Sequence, residues 1–226
     1  MQSRTLSYIF SVLVLASTCC FAQEETAKSD STRNEFKPTG VRVGADAIAL
    51  GRTFAGSDFK GWEVNADIDF QNYYPVIEIG QGQRNFSLTN GEYTNSGNYW
   101  RLGADINLLK KDAAKNMFFF GFRFGHSRYN ERLTYTLTTD QFVDLKLTMR
   151  NSNLDANWGE LTTGLKVKIL KSFWMGFTGR LKFFPGYKKD QQFQTYDIPG
   201  YGLTFKKQWW GFNYYLMYRI PLVKQH

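Results

Sequence analysis

His126 and Ser127 stand side by side in the chain, with Glu131 shortly after them. A histidine, a hydroxyl and a carboxylate are the parts of an acyl-transfer site, in which the imidazole takes the hydroxyl proton and the acid orients the ring. Neighbouring residues of a strand point to opposite faces, so they cannot pass a proton to one another. The triplet is therefore chemistry only if its segment is not a strand. The other histidine is His226, at the C-terminal end, and the two cysteines are Cys19 and Cys20. No ligand spacing joins these residues, so neither a metal nor another cofactor is expected.

The remaining reactive side chains are charges, and their spacing is regular. In Trp62 to Gln71 one parity holds Trp62, Val64, Ala66, Ile68 and Phe70, while the other holds Glu63, Asn65, Asp67, Asp69 and Gln71. A period of two is the signature of a strand with two unlike faces. The same alternation runs through Asn98 to Leu109, Met117 to Tyr129, Ser172 to Phe184 and Trp210 to Pro221, and more weakly through Val41 to Leu50, Pro75 to Arg84 and Glu160 to Ile169.

The polar parity separates two kinds of β fold. A sandwich's wet face avoids glycine, which weakens a strand. Here glycines such as Gly80, Gly103, Gly121, Gly125 and Gly176 share that parity with Asp46, Glu63, Asp67, Asp69, Glu78, Arg101, Asp105, Arg123, Glu160, Lys166, Arg180 and Arg219. Small residues and charges of both signs are what a narrow barrel needs to fill its interior. Those twelve charges are expected to form a lumenal network of ion pairs, and the aromatic parity is expected to face lipid, with Trp62, Trp100, Trp210 and Tyr218 near its borders.

The expected fold is thus all-β, an eight-stranded antiparallel transmembrane β-barrel over residues 40–226. Long connections are expected at Thr53 to Lys60, Gln83 to Gly97, Asn130 to Leu154 and Gly186 to Tyr201, all at the cell surface, and short ones at the opposite end. Within the third, Leu133, Tyr135 and Leu137 and then Val143, Leu145, Leu147 and Met149 alternate with polar residues around Thr139 and Asp140. That pattern implies an extended hairpin beyond the membrane, whose apolar face within residues 130–154 could dock a protein partner.

The N-terminal residues read differently. Ile9 to Ala16 is an apolar run of signal-peptide length that leads to Cys-Phe-Ala before Gln23, so residues 1–22 are expected to direct export and be removed. Residues 23–39 lack apolar periodicity and are expected to form a flexible periplasmic tail. Cleavage there leaves no cysteine in the mature chain.

Composition agrees with a barrel. Of 226 residues 17% are aromatic and 21% charged, and mean hydropathy is −0.42, too polar for a bundle of membrane helices. The formal charge of +8 would suit nucleic acid, but an exported barrel meets none. Lipopolysaccharide phosphate is the fitting counterpart, with Arg128, Arg132, Lys188, Lys189, Lys206 and Lys207 beside the third and fourth long connections as candidate contacts.

Several segments carry a family likeness, among them Trp62-Glu63-Val64-Asn65-Ala66-Asp67-Ile68-Asp69, Gly121-Phe122-Arg123-Phe124-Gly125, Tyr196-Asp197-Ile198-Pro199-Gly200-Tyr201-Gly202 and Trp210-Gly211-Phe212-Asn213-Tyr214-Tyr215. With them the chain resembles a family of small outer-membrane β-barrels of unknown function from one lineage of Gram-negative bacteria. The resemblance implies fold and location, the cell outer membrane, and no activity. The expected role is that of a non-catalytic structural or accessory subunit of an envelope complex. The alternatives are a lipid A-modifying enzyme of the outer leaflet using His126 and, behind it, a small channel.

Overall fold

The computed structural model describes residues 37–109, 116–139, 143–187, 192–205 and 208–222, all within a unit spanning Phe36–His226. The expected signal segment and nearly all of the expected tail lie outside the described residues. So do both cysteines, His226, Lys188, Lys189, Lys206 and Lys207.

Alternating sequence becomes strand except over residues 47–50, which are helical. The elements are β1 (Gly40–Asp46), α1 (Ala47–Phe54), β2 (Phe59–Asp69), β3 (Tyr73–Leu88), β4 (Gly91–Asn107), β5 (Met117–Thr139), β6 (Val143–Leu170), β7 (Phe173–Tyr187), β8 (Asp197–Ile198), β9 (Gly202–Leu203) and β10 (Gln208–Pro221). Eight of the strands form a closed antiparallel ring in the order β1-β10-β7-β6-β5-β4-β3-β2, and β8 pairs only with β9. Closure joins the two ends of the described chain, from Gly40 opposite Pro221 to Asp46 opposite Tyr215. A ring of this kind leaves no free sheet edge along its closed part.

The two parities separate as their chemistry demands. On β2, Glu63, Asn65, Asp67 and Asp69 are buried in the ring while Trp62 and Val64 are exposed outside it. On β5 the outer row is Phe118, Phe120, Phe122 and Phe124, and Phe177 of β7 stacks on Phe212 of β10 at 5.9 Å between ring centres. The barrel is polar within and apolar without. Large inward side chains fit because glycines face them: a Cβ on Gly125 would lie 2.3 Å from the Trp158 ring, and one on Gly80 would lie 2.4 Å from Tyr99.

One end of the ring is closed by tight turns. Phe70 and Tyr73 bridge across a two-residue turn in which Gln71 takes φ 62°, and β6 passes to β7 in as short a space. The opposite end is where strands overrun the ring. β5 has 23 residues and β6 has 28, with pairing maintained to Thr139 opposite Val143. At about 3.3 Å per residue these strands reach roughly 75 and 90 Å. The register shifts between Tyr129 and Glu131, where Asn153 adopts φ 54° and its N–H donates to Asn130 Oδ1 at 2.9 Å.

Three expectations need correction. The connection expected over Gln83 to Gly97 is mostly strand, because β3 and β4 remain paired out to Leu88 opposite Gly91. The strand expected over Val41 to Leu50 ends at Asp46, and the chain turns into α1. Asp46 is the cause, since its carboxylate accepts from Ile48 N–H at 3.0 Å as an N-cap and starts the helix. The connection expected to lie exposed over Gly186 to Tyr201 instead folds back into the ring, where Ile198 and Tyr201 are wholly buried against Tyr99, Tyr129 and Trp158.

Candidate functional site

The twelve charges singled out above all face into the ring. Eleven are buried, and Arg219 is half-buried near the turn end. They form two linked groups. Toward the turn end, Lys166 Nζ bridges Asp67 at 2.9 Å and Asp105 at 3.1 Å, while Arg42 pairs with Asp67 at 2.7 Å and Arg123 with Asp105 at 2.6 Å. Arg219 pairs there with Asp69 at 3.1 Å. In the middle, Arg180 contacts Glu78 and Glu160, each at 2.9 Å, and Arg101 contacts Glu78 at 2.7 Å and also Glu63. Tyr99 donates to Glu63 at 2.6 Å, Trp158 to Glu160 at 2.7 Å, and Arg180 to the Tyr215 hydroxyl at 2.7 Å.

Charge removed from water is tolerated only where partners replace the lost hydration. The interior meets that condition. Its acids are Asp46, Glu63, Asp67, Asp69, Glu78, Asp105 and Glu160, and its bases are Arg42, Arg101, Arg123, Lys166, Arg180, Lys182 and Arg219. Asp197 and Arg84, 3.5 Å apart, add one more group of each sign at the mouth. Arg42 and Lys182 were not among the expected set. Arg42 lies in a weakly alternating segment, and Lys182 sits at the mouth, where it donates to the carbonyls of Gly200 at 2.6 Å and Tyr201 at 3.2 Å.

Asp46 has another part than an ion-pair partner. Besides capping α1 it accepts from Asn213 Nδ2 at 2.7 Å and from Tyr214 N–H at 3.2 Å, which ties it to β10 where β1 departs. Past this point the wall changes. β1 pairs with β2 no further than Ala45 opposite Val64, and with β10 no further than Asp46 opposite Tyr215. Above these pairs β2 and β10 have a strand neighbour on one side only, among the described residues. The notch is occupied by α1, whose Thr53 hydroxyl accepts from Gly61 N–H at 2.8 Å and lies 2.7 Å from Gly61 O.

Behind α1 lies a cleft of about 360 Å³. Its walls are α1 (Ile48, Ala49 and Arg52), β2 and β3 (Phe59, Gln83 and Arg84), the inturned segment from Asp197 to Gly202, and β10 from Trp209 to Asn213. Gly200 and Gly202 take φ 83° and 112°, which side-chain-bearing residues rarely adopt, and a Cβ on Gly200 would meet the Tyr99 ring at 2.6 Å. The Gly200 carbonyl is thereby presented to Lys182.

Above the ring, beyond the apolar band that ends near Phe124, a second polar cluster holds the inturned segment. Glu131 accepts from Tyr93 at 2.6 Å, from Thr195 at 3.2 Å and from Asn151 at 3.3 Å. Asn151 also donates to Phe193 O and accepts from Gln192 N–H, each at 3.0 Å, and Asn95 donates to Asp197 O. Burial pushes the Glu131 carboxyl above its ordinary value despite these donors. Burial likewise raises Asp197, against the pull of Arg84. Tyr93 is raised by burial and then by the Glu131 charge.

The triplet examined for acyl transfer does not converge. His126 faces outward, 2.8 Å from Asn157 Oδ1 through Nδ1, with Trp100 beside it. Ser127 is buried on the inner face and donates to Asn98 O at 3.3 Å, and Glu131 is engaged as just described. Arg128 is exposed and pairs with Asp155 at 3.0 Å, while Arg132 is exposed opposite Arg150 in the register.

The cleft was hidden from the sequence because it depends on a helix inside an alternating segment and on a loop that reverses into the ring. The cluster Ile198-Pro199-Gly200-Tyr201 was the one local signal, since apolar and aromatic residues in a supposed surface loop need something to cover them.

No curated protein and no solved structure matches this chain. A family model described as Domain of unknown function (DUF6048) matches residues 5–225, nearly the whole length. The chain belongs to that family.

Proposed function

We propose that this protein is a β-barrel of the bacterial outer membrane, reached by export under its N-terminal segment, and that it is a non-catalytic structural or accessory subunit of an envelope complex. One observation carries the reading. The polarity is inverted relative to a water-soluble barrel, with ionised side chains satisfied inside and a band of Phe, Leu, Ile, Val and Trp exposed around the outside. A transmembrane strand needs only about ten residues, a length that every strand of the ring reaches except the seven-residue β1, which α1 follows.

The filled interior supports a structural role over conduction. Trp158, Arg101, Arg123 and Arg180 are fully buried across the lumen, and the ion pairs that hold them are mutual. His126 gives lipid modification no comparable support, since its hydroxyl neighbour lies on the other face of the sheet. Arg128 and Arg132, exposed just above the apolar band, are placed to meet anionic head groups.

The β5–β6 extension is the partner contact. Leu137 and Leu145 are exposed on its outer part, where among the described residues no strand other than its own mate pairs with it. The test is affinity purification from detergent-solubilised membranes of the full chain and of a chain lacking residues 134–148. Loss of a co-purifying envelope protein from the shortened chain is expected, and retention of every partner would remove the extension from the proposal. Extraction without detergent, or a gel band that migrates alike before and after heating, would overturn the membrane barrel itself.

A further inference from the structure

The cleft behind α1 is lined by residues of both parities of β10. Gly211 and Asn213 belong to the inner row, and Trp210 and Phe212, exposed by 65% and 57%, to the outer row. The cleft therefore borders both rows beside α1, at the notch where no strand bridges β2 and β10 among the described residues.

Two guanidinium groups border the cleft, Arg52 from the exposed side of α1 and Arg84 from β3. Arg52 of α1 lies over the Phe59 ring at 4.4 Å and has no ion pair among the described residues. Arg84 of β3 lines the same space. Arg84 Nε is buried without a hydrogen bond, 3.5 Å from Asp197 Oδ2, and Asp197 Oδ1 is also buried without one. Buried polar atoms in native proteins are nearly always satisfied, so Arg84 Nε, a donor, marks where a further acceptor belongs, whereas Asp197 Oδ1, an acceptor, calls for a donor. Of the cleft's other acids, Asp46 is committed to the helix cap and Asn213, and Glu63 to Arg101 and Tyr99. Asp197 is a single carboxylate, 3.5 Å from Arg84, facing a cleft that two arginines line.

At the outer opening the surface is apolar. Ile48 is 40% exposed, and Trp210 and Phe212 continue it onto the outside of the barrel. A ligand matching both ends has an oxyanion at one end and an acyl chain at the other.

We propose that this cleft is a lateral binding site for a lipid whose phosphate head group carries net negative charge, the phosphate held by Arg52 and Arg84 and the acyl chain running out beside α1 over Ile48 and Phe212. Guanidinium groups suit this task because their planar donors match phosphate oxygens. The acyl chain extends the contact along the outer row, which gives a lipid an advantage over free phosphate. The site rests on the membrane-barrel reading for its source of ligand, but not for its chemistry.

The full chain, purified in a neutral detergent, is titrated with dihexanoyl phosphatidic acid, dihexanoyl phosphatidylcholine and inorganic phosphate, following tryptophan fluorescence because Trp209 and Trp210 line the cleft. Saturable binding of phosphatidic acid is expected, about tenfold weaker in Arg52→Gln, as losing one charge-assisted contact implies. Inorganic phosphate and the zwitterionic lipid should each bind at least about tenfold more weakly. Arg52 sits on the exposed side of α1, so this variant should keep the heat-sensitive gel migration of the parent. Arg84→Gln is scored only if it does so too. The proposal fails if the wild-type chain shows no saturation with phosphatidic acid, or if Arg52→Gln binds it unchanged. It fails also if phosphate alone binds as tightly, which would make this a free-anion site, or if phosphatidylcholine does, which would show that the net charge of the head group is not recognised. Because the short-chain lipid is water-soluble, binding is measurable even should the protein prove not to be a membrane barrel, so the two readings fail separately.

Discussion

The Thr53 hydroxyl and the Gly61 backbone exchange hydrogen bonds across the notch: Gly61 N–H donates to Oγ1 at 2.8 Å, and Oγ1 donates to Gly61 O at 2.7 Å. A strand ladder would satisfy those two groups with a neighbour's backbone. One side chain does so here, and Asp46 serves Tyr214 N–H on the opposite edge in the same manner. The barrel wall is completed at this point by side chains on a helix, which is a weaker seam than a strand.

Removing the hydroxyl should loosen that seam. Thr53→Val keeps the shape and leaves Gly61 N–H and O without their partner, at a cost of about 1–3 kcal/mol. Thr53→Ser should retain most of the stability. Urea titration of the gel-resolved folded form measures both, and equal midpoints for the two variants would count against the patch.

The ion-pair interior predicts unequal costs for similar deletions. Arg180→Met leaves Glu78 with Arg101 at 2.7 Å but Glu160 with Arg101 only at 3.5 Å, so the loss should be about 3–5 kcal/mol, enough to prevent recovery of folded protein. Lys166→Met should be milder, because Asp67 keeps Arg42 and Asp105 keeps Arg123. A refolding yield in detergent that ranks the two the other way contradicts the partner assignment.

Glycine positions make a sharper contrast. Gly125→Val drives a side chain into the Trp158 ring, and the barrel should fail to close. A Cβ on Gly179 meets nothing nearer than 3.7 Å, so Gly179→Ala should fold with a midpoint within about 0.5 kcal/mol of the parent. Expression in membranes followed by heat-modifiable migration distinguishes the two.

Acid should tighten the inturned segment. Glu131 and Asp197 hold their protons more firmly in the folded chain than in the unfolded one, because burial raises both. The folded state therefore binds more protons between the ordinary carboxylate value and the raised one, and stability is lost as pH rises through that window. Amide exchange over residues 192–205, corrected for its intrinsic rate, should be slower at pH 4.5 than at pH 7.5. Glu131→Gln should shrink the difference, and an unchanged pH dependence in that variant would assign the effect elsewhere.

Much of this architecture was written locally. Glu63, Asn65, Asp67 and Asp69 were set apart from Trp62, Val64, Ala66 and Ile68 by alternation alone, and the structure puts the first row inside the ring and the second outside. Alternation is a property of consecutive residues, since a strand turns each side chain half a revolution from the last. It therefore marks which charges share a face. It does not say which partners they take.

Partners and cleft needed the closed ring. Lys166 meets Asp67 and Asp105 across separations of 99 and 61 residues, distances over which only strand order and register decide contact. α1 arises because a local cap at Asp46 outcompetes the alternation that continues past it. The burial of Ile198 and Tyr201 depends on a mouth lined by Tyr99, Tyr129 and Trp158 from three separate strands. Composition and period determined the two faces of this protein; its interior pairings, its notched wall and the cleft behind it were decided by contacts between segments far apart in the chain, which no local pattern encodes.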